Sequence, residues 1–154
     1  MMTHLTSEVL KAIAGKTLAT AESCTGGMIG QMLTAVPGSS AVYKGGIISY
    51  TNEIKESLLG VDKTLLDREG AVSAAVAIAM AEGARKILGA DIAVSVTGLA
   101  GPTGDDRGNP VGLVYIGYAD SRGADTIACH FEGDRDAVRT QAAEAALQIV
   151  LSKN

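Results

Sequence analysis

Ser23 is the residue of this chain best placed for covalent chemistry. It sits in Ala21-Glu22-Ser23-Cys24-Thr25-Gly26-Gly27, where a compact strand candidate, Lys16 to Ala21, turns sharply into a helix expected over Met28 to Val36 and stopped by Pro37-Gly38. A serine on such a turn stands at a sheet edge, where free amides and the positive end of a helix dipole point outward. Gly26 and Gly27 would let the backbone approach a substrate, and the amides from Cys24 through Thr25 to Gly27 could hold an oxyanion. A plainer role fits the same letters: Ser23 or Thr25 simply caps the helix. Cys24 is a rival nucleophile, since a thiolate also profits from a helix N-terminus, but no His or second Cys lies near it in sequence.

A serine nucleophile needs a base. The chain has only His4 and His130, one near a terminus and one in a predicted strand, which disfavours a Ser-His-Asp arrangement. Lysine fills the role when an apolar setting lowers its pKa, because desolvation disfavours the ammonium. Tyr50 closes a strand expected over Val42 to Tyr50, and Lys55 lies about one turn into the helix that follows. Five residues apart, the two could converge on one serine, the phenol relaying or sharing the proton. Taken singly, a strand-end Tyr and a helical Lys are ordinary surface residues.

A second constellation is Thr97-Gly98-Leu99-Ala100-Gly101-Pro102-Thr103-Gly104, which leaves the end of the apolar strand Asp91 to Thr97. Open α/β sheets bind ligands at such strand ends, and the glycines could form a nest of amides for a phosphate. The spacing matches neither a Walker loop nor a dinucleotide fingerprint. An inert surface loop is the alternative. Asp105-Asp106 lacks the further oxygen ligands that magnesium requires, so no metal is expected.

The elements that must position these residues follow from capping and periodicity. A short helix is expected over Ser7 to Ala14. Thr51-Asn52 can cap a helix through Leu59 with Gly60 as its left-handed stop, and Ser73 and Gly89 bracket a helix through Leu88. Leu113 to Ala119 and Asp125 to Glu132 read as a hairpin joined by Asp120-Ser121-Arg122-Gly123, and Asp134 caps a last helix through Leu151. Alternating strands and helices with a late hairpin predict an α/β fold: one domain over residues 1–154, a three-layer α/β/α sandwich with a mixed sheet of about five strands.

Composition narrows the functions. A net charge of -4 with scattered acids offers no basic stripe, so no nucleic-acid partner is expected. Two cysteines, no signal-like N-terminus and no apolar run of about 20 residues indicate a cytoplasmic chain without a membrane partner. The small-residue helix from Ser73 to Leu88 would suit a homodimer contact, and burial within one chain explains the same pattern.

Taken in order, the Ala21 to Gly27 block, Val36-Pro37-Gly38-Ser39-Ser40, Tyr50-Thr51-Asn52-Glu53-Ile54-Lys55, Leu59-Gly60-Val61, Gly70-Ala71-Val72-Ser73, Thr97 to Pro102, Pro110-Val111-Gly112 and Gly133-Asp134-Arg135 resemble the CinA C-terminal domain family. These are the nicotinamide-nucleotide amidohydrolases, or NMN deamidases, and the resemblance runs from about Leu10 to Arg139. It implies hydrolysis of nicotinamide mononucleotide to nicotinate mononucleotide and ammonia, in pyridine-nucleotide salvage, without cofactor. It also implies Ser23 as catalytic serine, Tyr50 and Lys55 as its partners, and Thr97 as a substrate-pocket residue. Joined to the residue reading, this gives a mechanism in which neutral Lys55 takes the Ser23 proton, directly or through Tyr50. The loop around Gly98 and Gly101, with a cation such as Arg107, would hold the 5′-phosphate. The chain departs from the family at Asn109, where Lys commonly precedes Pro-Val-Gly, and in its Asp105-Asp106-Arg107 run. That departure keeps open a catalytically silent phosphometabolite-binding module. A role in DNA uptake or damage response follows only from the family's historical name.

Overall fold

The computed structural model describes residues 2–154. Its strands are β1 (Leu18–Glu22), β2 (Tyr43–Ile48), β3 (Ile92–Gly98), β4 (Leu113–Asp120) and β5 (Gly123–His130). Its helices are α1 (Met2–Ala12), α2 (Met28–Thr34), α3 (Asn52–Leu59), α4 (Lys63–Glu69), α5 (Ala74–Leu88) and α6 (Arg135–Lys153). β1 is buried along its whole length and β3 up to its last residue, as an apolar strand must be when helices cover both its faces. β2 and β5 alternate between covered and exposed positions, which suits the two edges of the sheet.

The sheet order is β2-β1-β3-β4-β5. β1 runs parallel to both β2 and β3, whereas β4 and β5 are antiparallel additions. One face carries α1, α2 and α6 around Ile29, Leu33, Val138 and Leu147. The other carries α3, α4 and α5 around Leu59, Leu66, Val76 and Met80. The result is the expected three-layer α/β/α fold with a five-stranded mixed sheet. Glu22 pairs with Ile48 on one side and Val96 on the other, so β1, β2 and β3 finish level with one another. After β1 the chain goes to one flank and later returns to the other. The crevice between these strand ends is a topological switch point, where open α/β sheets place ligands.

Local chemistry sets the helix limits. Thr51, Ser73 and Asp134 accept the amides of Ile54, Val76 and Ala137, and Gly60 and Gly89 end their helices in the left-handed region. Three features differ most from the sequence reading. Helix α1 starts at Met2, five residues before the expected Ser7, and ends at Ala12. Helix α4 was not anticipated: it is 7 residues long and buries only Leu66, too little for a periodic signal. β5 starts two residues early, because Gly123 pairs with Asp120 and leaves only Ser121-Arg122 to turn the hairpin.

Helix α5 lies very close to its neighbours. Ser95 Oγ donates to Ala77 O at 2.6 Å, and Ala77, Ala81 and Ala84 are fully buried. The small residues of this helix thus serve packing within one chain, which removes the pattern as a reason to invoke a second copy. Among the described residues, no helix is long and apolar enough to cross a membrane.

Gly83 gives a test whose sign decides. In an exposed helix interior, Gly to Ala stabilises by up to about 1 kcal/mol. Here a Cβ on Gly83 would stand 2.0 Å from Leu59 O, a backbone atom that cannot swing aside. Gly83→Ala should therefore destabilise by about 2 kcal/mol, read as a lower urea midpoint at unchanged slope.

Candidate active site

Ser23 directly follows β1, and its amide extends the sheet pairing to Val96 O at 3.0 Å. Lys55 comes from the other side of the crevice. The Thr51 cap turns the chain sharply into α3 after β2, so one turn later the Lys55 side chain reaches back under the strand end. Its side chain is 1% exposed, and Nζ lies 3.1 Å from Ser23 Oγ, 2.7 Å from Ser49 O and 3.5 Å from Tyr50 O. None of these partners carries charge. Burial lowers the amine pKa from 10.5 to about 8. A neutral amine has two N–H groups and one lone pair, which match two carbonyls and one hydroxyl proton. The pair is thus arranged for Lys55 to accept the proton of Ser23.

The turn around the serine differs from expectation in its donors. Glu22 is buried at 2% exposure, and its carboxylate accepts the amides of Gly27, Ile29 and Gly30 at 3.0–3.1 Å, closing the first turn of α2. The Gly26 amide donates to Ser23 O and that of Met28 to Thr25 O. Gly26 and Gly27 therefore have no amide to offer an oxyanion, and Thr25 is fully buried. None of these three residues lines the cavity, whereas Cys24 does. The helix N-terminus is occupied by the protein's own carboxylate, and of Cys24 to Gly27 it is Cys24 that lines the cavity. The Cys24 thiol is no competitor, since burial pushes its pKa up to about 11 and keeps it protonated at neutral pH.

Tyr50 is placed otherwise than the relay reading expects. Its side chain is 58% exposed, and its hydroxyl accepts from Arg135 Nη2 at 3.1 Å. Toward Lys55 it turns its main-chain carbonyl, and the residue forms part of the cavity wall. Neither histidine lines that cavity.

The cavity encloses about 510 Å³ between the strand ends, the 70–72 loop and the loop from Gly98 to Arg107. Thr97 lies in its wall and donates its hydroxyl to Ala71 O at 2.8 Å, tying two of these segments together. Gly98 permits close approach of β4, for a Cβ there would meet Leu113 O and Val114 at under 3 Å. Gly101, with φ of 89°, turns the loop so that its carbonyl accepts from Arg135 Nη1. Arg107 is in the wall, but its guanidinium donates to Asp67 O and Arg68 O, the open carbonyl end of α4. The Arg107 and Asn109 amides both turn onto Asp105 Oδ1 at 3.0 Å, and Asn109 Nδ2 reaches Oδ2 at 2.7 Å. That side-chain bond from Asn109, foremost among several, holds the Asp105 carboxyl below its ordinary pKa. These two loop amides, beyond the glycines of Thr97 to Gly104, consequently face a carboxylate. Among the described residues, no group of three or more His, Cys, Asp or Glu could hold a metal ion.

Glu22, Asn52 and Arg135 are site residues that the residue-by-residue reading missed. Asn52 lines the cavity, and all three lie inside motif blocks of the sequence, which was the available signal.

The fold and the site define a class: a small α/β/α domain in which a strand-end serine meets a desolvated lysine at the sheet's switch point. The family model for the CinA C-terminal domain matches residues 2–153, and the chain belongs to that family. A CinA-like protein of Geobacter sulfurreducens is 53% identical over 133 residues, which cover 86% of this chain and 32% of that protein. A CinA-like protein of a Cyanothece species is 53% identical over 140 residues, 90% of this chain and 34% of its own length. The chain thus spans about a third of the curated relatives it matches. Among solved structures, the CinA superfamily protein of Klebsiella pneumoniae superposes with a TM-score of 0.97 at 35% identity, covering 99% of this chain and 97% of that one. The competence/damage inducible protein CihA of Agrobacterium tumefaciens gives 0.94 at 36% identity, covering 98% and 94%.

The buried amine makes stability depend on pH. The folded pKa of Lys55, about 8, lies below its unfolded value near 10.5, so between these limits the unfolded chain binds more protons. Stability should rise with pH across that window, by roughly 3 kcal/mol from this group, and show no contribution to the slope below it. Lys55→Met should abolish that rise and be the more stable protein at pH 7, as measured by urea unfolding at a series of pH values.

Proposed function

We propose that this domain hydrolyses the carboxamide of nicotinamide mononucleotide, giving nicotinate mononucleotide and ammonia. One observation carries the reading: a serine oxygen 3.1 Å from a buried, uncompensated lysine amine at the mouth of a polar cavity. Lys55 takes the proton of Ser23 directly as Oγ bonds to the carboxamide carbon, and the Cys24 amide faces the developing oxyanion. The ammonium of Lys55 returns a proton to the departing nitrogen, the C–N bond breaks, and ammonia leaves an acyl-serine. Water then attacks the ester, again giving its proton to Lys55. The carboxylate departs as Ser23 recovers its hydroxyl.

Tyr50 enters this scheme through its ring and not through its phenol. Its face on the cavity wall offers the stacking surface for a cationic pyridinium that a chain without Trp must take from tyrosine. Arg107 and Arg135 are the guanidinium groups of the cavity wall, available to a 5′-phosphate. Thr97 shapes the floor between them.

Ammonia release from nicotinamide mononucleotide tests the reading. The wild-type chain should release it, with kcat/KM rising as pH rises through about 8, because only neutral Lys55 accepts a proton. Ser23→Ala and Lys55→Ala should each lose at least about 1,000-fold, and Tyr50→Phe no more than about 10-fold. Retention of the mononucleotide without ammonia would instead identify a silent binding module, and near-normal turnover by Ser23→Ala would end the serine mechanism.

A further inference from the structure

The helix that closes the fold also reaches into the site. Asp134 starts α6, so Arg135 and Arg139 lie one turn apart on the same side of the helix. Arg135 holds Gly101 O and the Tyr50 hydroxyl. Arg139 takes the nucleophile turn: Nε donates to Cys24 O at 2.9 Å and Nη2 to Thr25 O at 3.1 Å. Thr25 O is also reached by the Met28 amide, but Arg139 is the hydrogen-bond donor that Cys24 O has among the described residues. The other bonds of the turn, from the amides of Gly27, Ile29 and Gly30 to the Glu22 carboxylate and from those of Gly26 and Met28 to Ser23 O and Thr25 O, leave Cys24 O to Arg139. Thr25 Oγ1 is buried without a hydrogen-bond partner, so the one hydroxyl that could have bridged the turn does not.

A planar peptide whose carbonyl is fixed has its following amide fixed too. One guanidinium that grips two successive carbonyls therefore fixes the two peptide planes that meet at Thr25, and with them the path of the chain just after Ser23 and Cys24. The grip comes from α6, on one face of the sheet, whereas Lys55 comes from α3 on the other. Ser23 is thus held from behind by a cation and met in front by the amine.

We propose that Arg139 is a positioning residue of the reaction: its clamp on Cys24 O and Thr25 O keeps Ser23 Oγ within bonding distance of Lys55. This rests on the Ser–Lys reading of the site. It acts through the turn and touches no substrate atom, so its loss should lower kcat and leave KM alone. A displacement near 1 Å at a nucleophile costs about 100-fold.

The test compares Arg139→Met, Arg139→Lys and Val138→Ala. The last sits beside Arg139 but fills the core, so it lowers stability while leaving the guanidinium in place. Two readouts are used: ammonia release from nicotinamide mononucleotide, and the rate at which a fluorophosphonate labels Ser23, its oxygen displacing fluoride from phosphorus as the proton passes to Lys55. Arg139→Met should lose about 100-fold in kcat and in labelling rate, keep KM within about threefold and keep the midpoint of its pH profile. Arg139→Lys, able to hold one carbonyl, should lose about 10-fold, and Val138→Ala should lose stability alone. The proposal is overturned if Arg139→Met stays within threefold of wild type in both readouts, or loses no more activity than Val138→Ala. If Arg139→Met does not fold, Arg139→Lys decides by the same limits. A wild-type chain that is labelled but releases no ammonia would overturn the substrate reading only, and the labelling series would then judge Arg139. A wild-type serine that is neither acylated nor labelled overturns both.

Discussion

Everything in the site turns on a buried lysine amine beside a serine. Removing an ammonium from solvent is costly unless an opposite charge meets it, and here the partners are a hydroxyl and two main-chain carbonyls. They satisfy the hydrogen-bonding capacity of an amine without compensating a positive charge. The fold therefore holds Lys55 in a setting that favours its neutral, proton-accepting form, and the pKa near 8 is the direct consequence.

Three segments far apart in sequence have to finish level for this contact to exist. Parallel pairing of β1 with both β2 and β3 supplies that condition, because it sends Ser23, Ser49 and Thr97 to the same edge of the sheet. Glu22 links the two halves of the pair. Its carboxylate closes the start of α2, while its carbonyl accepts the Ser49 amide at 2.8 Å, and Ser49 O in turn accepts from Lys55. One residue thus anchors both the turn that bears Ser23 and the strand end whose carbonyl accepts from Lys55.

The parts legible in sequence are those fixed by neighbours in the chain. Thr51, Gly60, Ser73, Gly89 and Asp134 announce their helices because capping is a local event. Ser23 and Lys55 were legible as a pair because the strand-turn-helix letters and the shortage of histidine narrowed the choice. What failed depended on distance. The amides of Gly26 and Gly27 look free until Glu22, itself at the end of a buried strand, is seen to fold its side chain back onto them. The Tyr50 phenol could serve as a relay on paper because nothing in the 50–55 segment reveals Arg135, 85 positions away. Helix α4 was invisible for a different reason, having a single buried side chain to mark it.

The loop from Gly98 to Gly112 carries this chain's departure from its family resemblance, and its contacts explain what the departure does. Asn109 satisfies Asp105 with a neutral amide, where a lysine would have added a charge, and Asp105 in return gathers the backbone of 107 and 109. The loop so closed throws Arg107 across to the last carbonyls of α4, and Gly70 makes room for it, since a Cβ there would meet the Arg107 side chain at about 2.5 Å. A guanidinium bound to carbonyls keeps its charge while part of its donor set is occupied. Arg135 is in the same position, held by Gly101 O and the Tyr50 hydroxyl. Two arginines of the cavity wall are therefore already oriented by neutral oxygens, and each has given up the rotational freedom that a free side chain keeps.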